Sequence, residues 1–163
     1  MGIDLYRIDD RLIHGQVVVG WGQPLAVGFI VLVDDEVANS DWEQELYRLG
    51  VPEGMDVHFD DLSRAVANLP AYIRDPRPGI LLTKDIETMG RLIERVPTIR
   101  KINIGGLHHR SGRVQKLRFV FLDDGEEQAL RCLARQGVVI AAQDVPAAKP
   151  IALEEVLAGR IST

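Results

Sequence analysis

The chain has a single cysteine, Cys132, among its 163 residues, so it can form no internal disulfide and suits a reducing compartment. Basic residues are in the minority: 19 Lys and Arg face 24 Asp and Glu, for a formal net charge of −5. No run or helix face collects the cations, which excludes a nucleic-acid-binding role and leaves the arginines as local features of loops. No apolar stretch approaches the roughly 20 residues of a membrane-spanning helix. The first residues lack the charged-then-apolar pattern of a secretory signal. The expectation is a cytoplasmic protein without direct membrane insertion. Repeats, linkers and low-complexity segments are also missing. What is present is 46% apolar residues, enough for one domain over residues 1–163 that buries roughly two thirds of its unfolded surface.

The apolar residues fall into alternating patterns. Ile3, Leu5 and Ile8 mark a first strand, and Phe29 to Val33 is a continuous β-branched and apolar run typical of a strand buried on both faces. Gly79 to Thr83, Lys101 to Ile104 and Val138 to Ala142 read the same way, with a shorter strand over Met55 to Phe59. Between them lie helices. Ser40-Asp41-Trp42-Glu43 is a capping box, followed by Trp42, Leu46 and Leu49 at helical spacing. Leu62 to Leu69 forms a helical stripe that Pro70 should end or bend. Ile86 to Val96 is helical up to Pro97, Asp123 and Asp124 cap a helix running to Gly137, and a short helix covers Leu153 to Leu157. Gln16 to Ala26 is assigned as a helix on position rather than composition, since three consecutive valines favour strand. The fold class expected is α/β: a three-layer sandwich with a mainly parallel, open twisted sheet and helices on both faces. Ligands in such sheets bind beyond the carboxyl ends of the strands. The loops there carry Arg11 and His14, Asp34, Lys84, and Gly106 with Arg110.

The densest chemistry lies in the turn after the first strand, Tyr6-Arg7-Ile8-Asp9-Asp10-Arg11-Leu12-Ile13-His14-Gly15-Gln16. His14 precedes a helix start, where free backbone N–H groups favour an anion. Gly15, without a side chain, lets that anion approach the backbone. A neutral imidazole is a competent nucleophile near pH 7. A phosphoryl group on His14 would meet the amides of Gly15 and Gln16 and the guanidinium of Arg11, three residues away. Asp9 and Asp10 either orient Arg11 or the imidazole, or cap the turn. Gly105 and Gly106 are expected in a tight turn flanking the phosphate, and Arg110 faces either that phosphate, a partner or solvent.

The segment R-I-D-D-R-L-I-H-G-Q-V resembles the phosphorylation-site segment of the EIIB components of the mannose/fructose/sorbose family of the bacterial phosphotransferase system (PTS). Val33-Asp34-Asp35-Glu36-Val37-Ala38 is similar to the family's V-N-D-E-V-A, and Ile102 to Leu107 to its I-N-V-G-G-M. Arg110 with Gly112, and Gln143 with Val145-Pro146, fit its R-x-G and Q-x-V-P, so the resemblance spans nearly the whole chain. It implies that His14 receives a phosphoryl group from a phosphohistidine of EIIA and passes it to a sugar entering through the membrane components EIIC and EIID, with no cofactor. It also implies an antiparallel contribution at one sheet edge, placed at Val114 to Leu122. Val18-Val19-Gly20-Trp21 and Leu107-His108-His109 depart from the pattern and bear on sugar class and partner contacts.

Three other readings have sequence support. His108 and His109 invite a metal site, but adjacent histidines point apart and no carboxylate or cysteine spacing completes one, so none is expected. Cys132, beside Leu130 and Leu133, reads as a core thiol rather than a phosphocysteine. A receiver domain phosphorylated on aspartate would use Asp9-Asp10, Asp60 and Thr83-Lys84, although a receiver separates its Thr and Lys. A regulatory EIIB-like protein without transfer to sugar is the remaining alternative.

Overall fold

The computed structural model describes residues 2–159; the outermost ends of the expected 1–163 domain lie outside them. Six parallel strands form the body of one sheet: β1 (Gly2–Ile8), β2 (Phe29–Val33), β3 (Asp56–Asp60), β4 (Pro78–Thr83), β5 (Lys101–Ile104) and β8 (Val139–Ala142). A two-residue strand, β9 (Ile151–Ala152), joins β8 antiparallel, giving the order β3-β2-β4-β1-β5-β8-β9. All five side chains of β2 are buried, each contributing about 1.5–3 kcal/mol of burial free energy. This is the strand that the apolar run over Phe29 to Val33 announced.

The helices are α1 (Asp35–Ala38), α2 (Asp41–Leu49), α3 (Leu62–Arg74), α4 (Ile86–Arg95), α5 (Asp124–Arg135) and α6 (Leu153–Leu157). The first five share a device. Asp34, Ser40, Asp61, Asp85 and Asp123 each accept the backbone N–H three residues on, worth typically about 1 kcal/mol per helix. Only Asp123 has the reciprocal bond from Glu126 that completes a capping box; Ser40 and Glu43 form half of one. On one sheet face α3, α4, α5 and α6 bury Leu69, Met89, Leu92, Leu130 and Val156 against Ile8, Val31 and Ile104. The other face packs Leu12, Ile13, Val17, Trp21 and Val37 against Ile30, Leu32, Ile80 and Leu82.

Several expectations change. Val114 to Leu122 does not edge the main sheet; it is a separate hairpin of β6 (Val114–Leu117) and β7 (Val120–Leu122), tied to the loop after β5 by two backbone bonds to Leu107. Its Leu117, Val120 and Leu122 are buried in the core, and the antiparallel edge belongs to β9 instead. Pro70 neither ends nor interrupts α3, which continues to Arg74. A proline removes one amide from the helical ladder, and the burial of Leu69 and Tyr72 on either side outweighs that loss. Trp42 and Leu49 on α2 face solvent at 71% and 81% exposure, so that helical stripe is not core. Cys132 is exposed, because α5 buries Leu130 and Leu133 on another face. Gln16–Trp21 is a π-helix followed by turns, shorter than the helix expected to Ala26. No helix among the described residues is long and apolar enough to cross a membrane.

Candidate active site

Because β1, β2, β4 and β5 run parallel, their following loops meet at one edge, with β1 between β4 and β5. The β1 loop is held from both sides. The Asp9 amide donates to Thr83 O at 2.9 Å after β4, and the Asp10 amide to Gly106 O at 2.9 Å after β5. Leu12 has a positive φ of 58° with its side chain in the core, a backbone state costing about 1–2 kcal/mol that its burial offsets. That reversal turns Arg11 outward and brings His14 back over the end of β1.

Asp9 is the centre of the loop. Fully buried, its Oδ1 accepts the Arg11 amide at 3.1 Å and faces Arg11 Nε at 3.4 Å. Its Oδ2 accepts the Gly106 amide at 3.2 Å and Arg7 Nη2 at 3.4 Å. The His14 Nε2 stands 3.2 Å from the same Oδ2, at ion-pair distance though outside hydrogen-bond alignment. Burial alone would raise the Asp9 carboxyl, but His14, Arg7 and the Arg11 amide more than offset this and hold it down at about 2. Beneath it Arg7 is also fully buried. It donates to Asn103 Oδ1 and to the carbonyls of Gln143 (2.8 Å) and Asp144 (3.2 Å), with its guanidinium 4.9 Å from the Trp21 ring centroid. Burial lowers the Arg7 pKa, against the pull of Asp9 and Asp144. Gly105 makes room for this pair: a Cβ there would fall 2.3 Å from Arg7 Nη2 and 2.7 Å from Asp9 Oδ2.

His14 is 17% exposed. Its Nδ1 accepts the Gln16 amide at 3.3 Å, which requires the lone pair to be on Nδ1 and puts the ring proton on Nε2, toward Asp9. Arg11 Nη2 donates to Gln16 Oε1 at 2.5 Å. The sequence-picked His14, Arg11 and Gln16 therefore meet. A Cβ at Gly15 would meet nothing within 4 Å beyond its own chain neighbours, and its φ is an ordinary −54°. Neither backbone conformation nor packing against the rest of the described chain demands glycine there.

The remaining expected residues form the rim. Asp10 accepts the His108 amide at 2.7 Å and lies 2.6 Å from His108 Nδ1. Arg110 is exposed and lies 3.9 Å from Asp123 and 3.8 Å from Glu126, so acids at the start of α5 partly offset its charge. The amide of Gly106 is taken by Asp9 and Gly105's by Ile8 O. Asp60, the receiver-type aspartate, lies at the end of the outermost strand, accepts the Tyr72 hydroxyl at 2.7 Å and is buried. Among the described residues no group of three or more His, Cys, Asp or Glu could hold a metal. Arg7, Asn103 and Arg113 were not picked from the sequence as site residues. The signal for Arg7 was an arginine set inside an apolar parallel strand.

The family described as PTS system sorbose subfamily IIB component matches residues 3–162. The chain belongs to this family. A sorbose-specific EIIB component from Klebsiella pneumoniae is 39% identical over 142 residues, covering 85% of this chain and 84% of that protein. An N-acetylgalactosamine-specific enzyme IIB component 1 from Escherichia coli K12 is 32% identical, covering 87% and 90%. The crystal structure of the IIBSor domain of the sorbose permease from Klebsiella pneumoniae superposes with a TM-score of 0.86 at 32% identity, covering 97% of this chain and 98% of that one. The protein is thus an EIIB component of the PTS, a participant in sugar phosphotransfer, and the receiver reading falls away.

Proposed function

We propose that this EIIB accepts one phosphoryl group on His14 Nδ1 from a phosphohistidine of an EIIA and passes it to a sugar entering through EIIC and EIID, working at the cytoplasmic face of the membrane. The observation that carries this reading is the asymmetry of the imidazole. Nε2 faces a buried carboxylate, while Nδ1 keeps its lone pair and meets only the Gln16 amide, at 3.3 Å. Once Nδ1 is phosphorylated, the Gln16 amide that it now accepts would turn to a phosphoryl oxygen, and Arg11 would exchange Gln16 Oε1 for another. Phosphoryl transfer has a loose transition state with charge on the equatorial oxygens, so positioned donors account for most of the catalysis. Similarity to a mannose-specific EIIAB component of Escherichia coli K12, 34% identical and matched over 45% of its length, supports an EIIA as donor, since that protein carries both components. Asp10 and Arg110 belong to the rim that meets these partners.

Intact-mass measurement after incubation with phospho-EIIA should show one added phosphate on the wild type and none on His14→Ala. Label persisting in the alanine variant, or mapping to Cys132 or an aspartate, would refute the assignment. Loading without onward transfer to any sugar would favour a regulatory protein.

A further inference from the structure

Proton balance separates the two transfers. Passing a phosphoryl group between two imidazoles uses one lone pair and restores another, with no proton exchanged at the reacting atoms. Passing it to a hydroxyl is different: as the O–P bond forms and the Nδ1–P bond breaks, the hydroxyl proton must leave. His14 is poorly placed to take it. Its Nε2 already holds a proton toward Asp9, and its Nδ1 lies behind the phosphorus in an in-line displacement. Asp9 is buried and too acidic to serve.

A second imidazole stands beside the site, held as a base should be held. Asp10 Oδ1 lies 2.6 Å from His108 Nδ1 and Oδ2 accepts the His108 amide at 2.7 Å, fixing the ring proton on Nδ1 and leaving Nε2 free. Arg113, buried and forked onto Glu126 at 2.9 and 2.7 Å, donates to the His108 carbonyl at 2.7 Å. The backbone of His108 is thus clamped at both its amide and its carbonyl, yet its side chain is 55% exposed. It also faces the right place. The point where a Cβ on Gly106 would sit is 3.2 Å from His108 Cε1, the atom between the two ring nitrogens, and 3.3 Å from Arg11 Nη2. The imidazole and the guanidinium converge over Gly106.

We propose that His108 is the general base of the onward transfer, receiving the sugar hydroxyl proton on Nε2 while Asp10 keeps Nδ1–H and stabilises the imidazolium. This rests on His14 being the phosphoryl carrier. The electron pair of the Nδ1–P bond returns to His14, the phosphoryl group moves to the sugar oxygen, and His108 later loses its proton to water.

The test separates the two half-reactions. Wild type and His108→Gln are loaded by phospho-EIIA, then mixed with membranes containing EIIC, EIID and sugar while the label is followed. Loading should agree within about twofold. Onward transfer should be ~100-fold slower in the variant, the size typical of a lost general base. Asp10→Asn, whose side-chain oxygen can still accept the His108 amide and keep the loop, should slow onward transfer far more than loading. Equal onward rates in wild type and His108→Gln would overturn the proposal, as would equal slowing of both steps, which would mean that the pair only pins the loop. Failure of the wild type to load on His14 is visible before the second mixing; it would overturn the carrier reading and the base with it.

Discussion

Asp9 and Asp10 are consecutive, and each holds an imidazole, yet they do opposite things. Asp9 is buried, faces Nε2 of His14 and leaves the Nδ1 lone pair to the Gln16 amide. Asp10 lies at the rim, faces Nδ1 of an exposed His108 and leaves Nε2 free. One residue of offset at the end of an extended strand sends the two carboxylates to opposite sides. Burial decides the rest. The inner pair is joined to Arg7, Arg11 and Gly106 and fixes a nucleophile in place. The outer pair answers to loop contacts and to whatever docks.

Breaking the inner pair should have the largest effect. Asp9→Asn leaves Arg7 buried without its counter-charge, a loss of about 3–5 kcal/mol, whereas Asp10→Asn at the rim should cost under about 1 kcal/mol; urea unfolding of both variants measures the gap. Near-equal losses would erase the distinction between the pairs. Acid probes the same difference. A carboxyl held at about 2 rather than 3.8 in the folded protein stabilises the fold above its unfolded pKa, and that stability, about 2 kcal/mol, is lost as pH falls from about 4 through about 2. Denaturation across this range should show the loss in wild type and not in Asp9→Asn.

Arg11 sharpens the comparison at intermediate size. Arg11→Lys keeps a charge but not the fork that spans Asp9 and Gln16. Transfer from phospho-EIIA should slow by roughly tenfold, about 1.4 kcal/mol, with the melting temperature nearly unchanged. Unaltered transfer would remove Arg11 from the site. Gly15→Ala should have the smallest effect. An added methyl meets no atom within 4 Å beyond its chain neighbours, so stability should hold within about 0.5 kcal/mol. Transfer from phospho-EIIA should slow several-fold, because the methyl is added between His14 and the Gln16 amide that meets Nδ1. Unaffected transfer would show that the space beside Gly15 is not used.

Much of this was legible in the sequence, for physical reasons. The β-branched run Phe29 to Val33 could only be a doubly buried strand, and Ser40 and Asp123 marked the starts of their helices. His14, Arg11 and Gln16 fall within one turn of chain, so their convergence followed from local geometry. What stayed hidden is non-local. Nothing in Trp42, Leu46 and Leu49 says that no element among the described residues covers them. Asp9's roles depend on Arg7 below and on Gly106, 97 residues away, and the Asp10–His108 pair spans 98 residues. The positive φ of Leu12, which turns the loop, falls on a residue type that gives no sign of it.

The most direct measurement is the identity of the phosphorylated nitrogen. Proton–nitrogen correlation spectra of the imidazoles, recorded on protein loaded by phospho-EIIA, distinguish substitution at Nδ1 from substitution at Nε2. Phosphate on Nδ1 of His14, with Nε2 still protonated, is the expected result. Phosphate on Nε2, the nitrogen against Asp9, would contradict the arrangement of the whole loop.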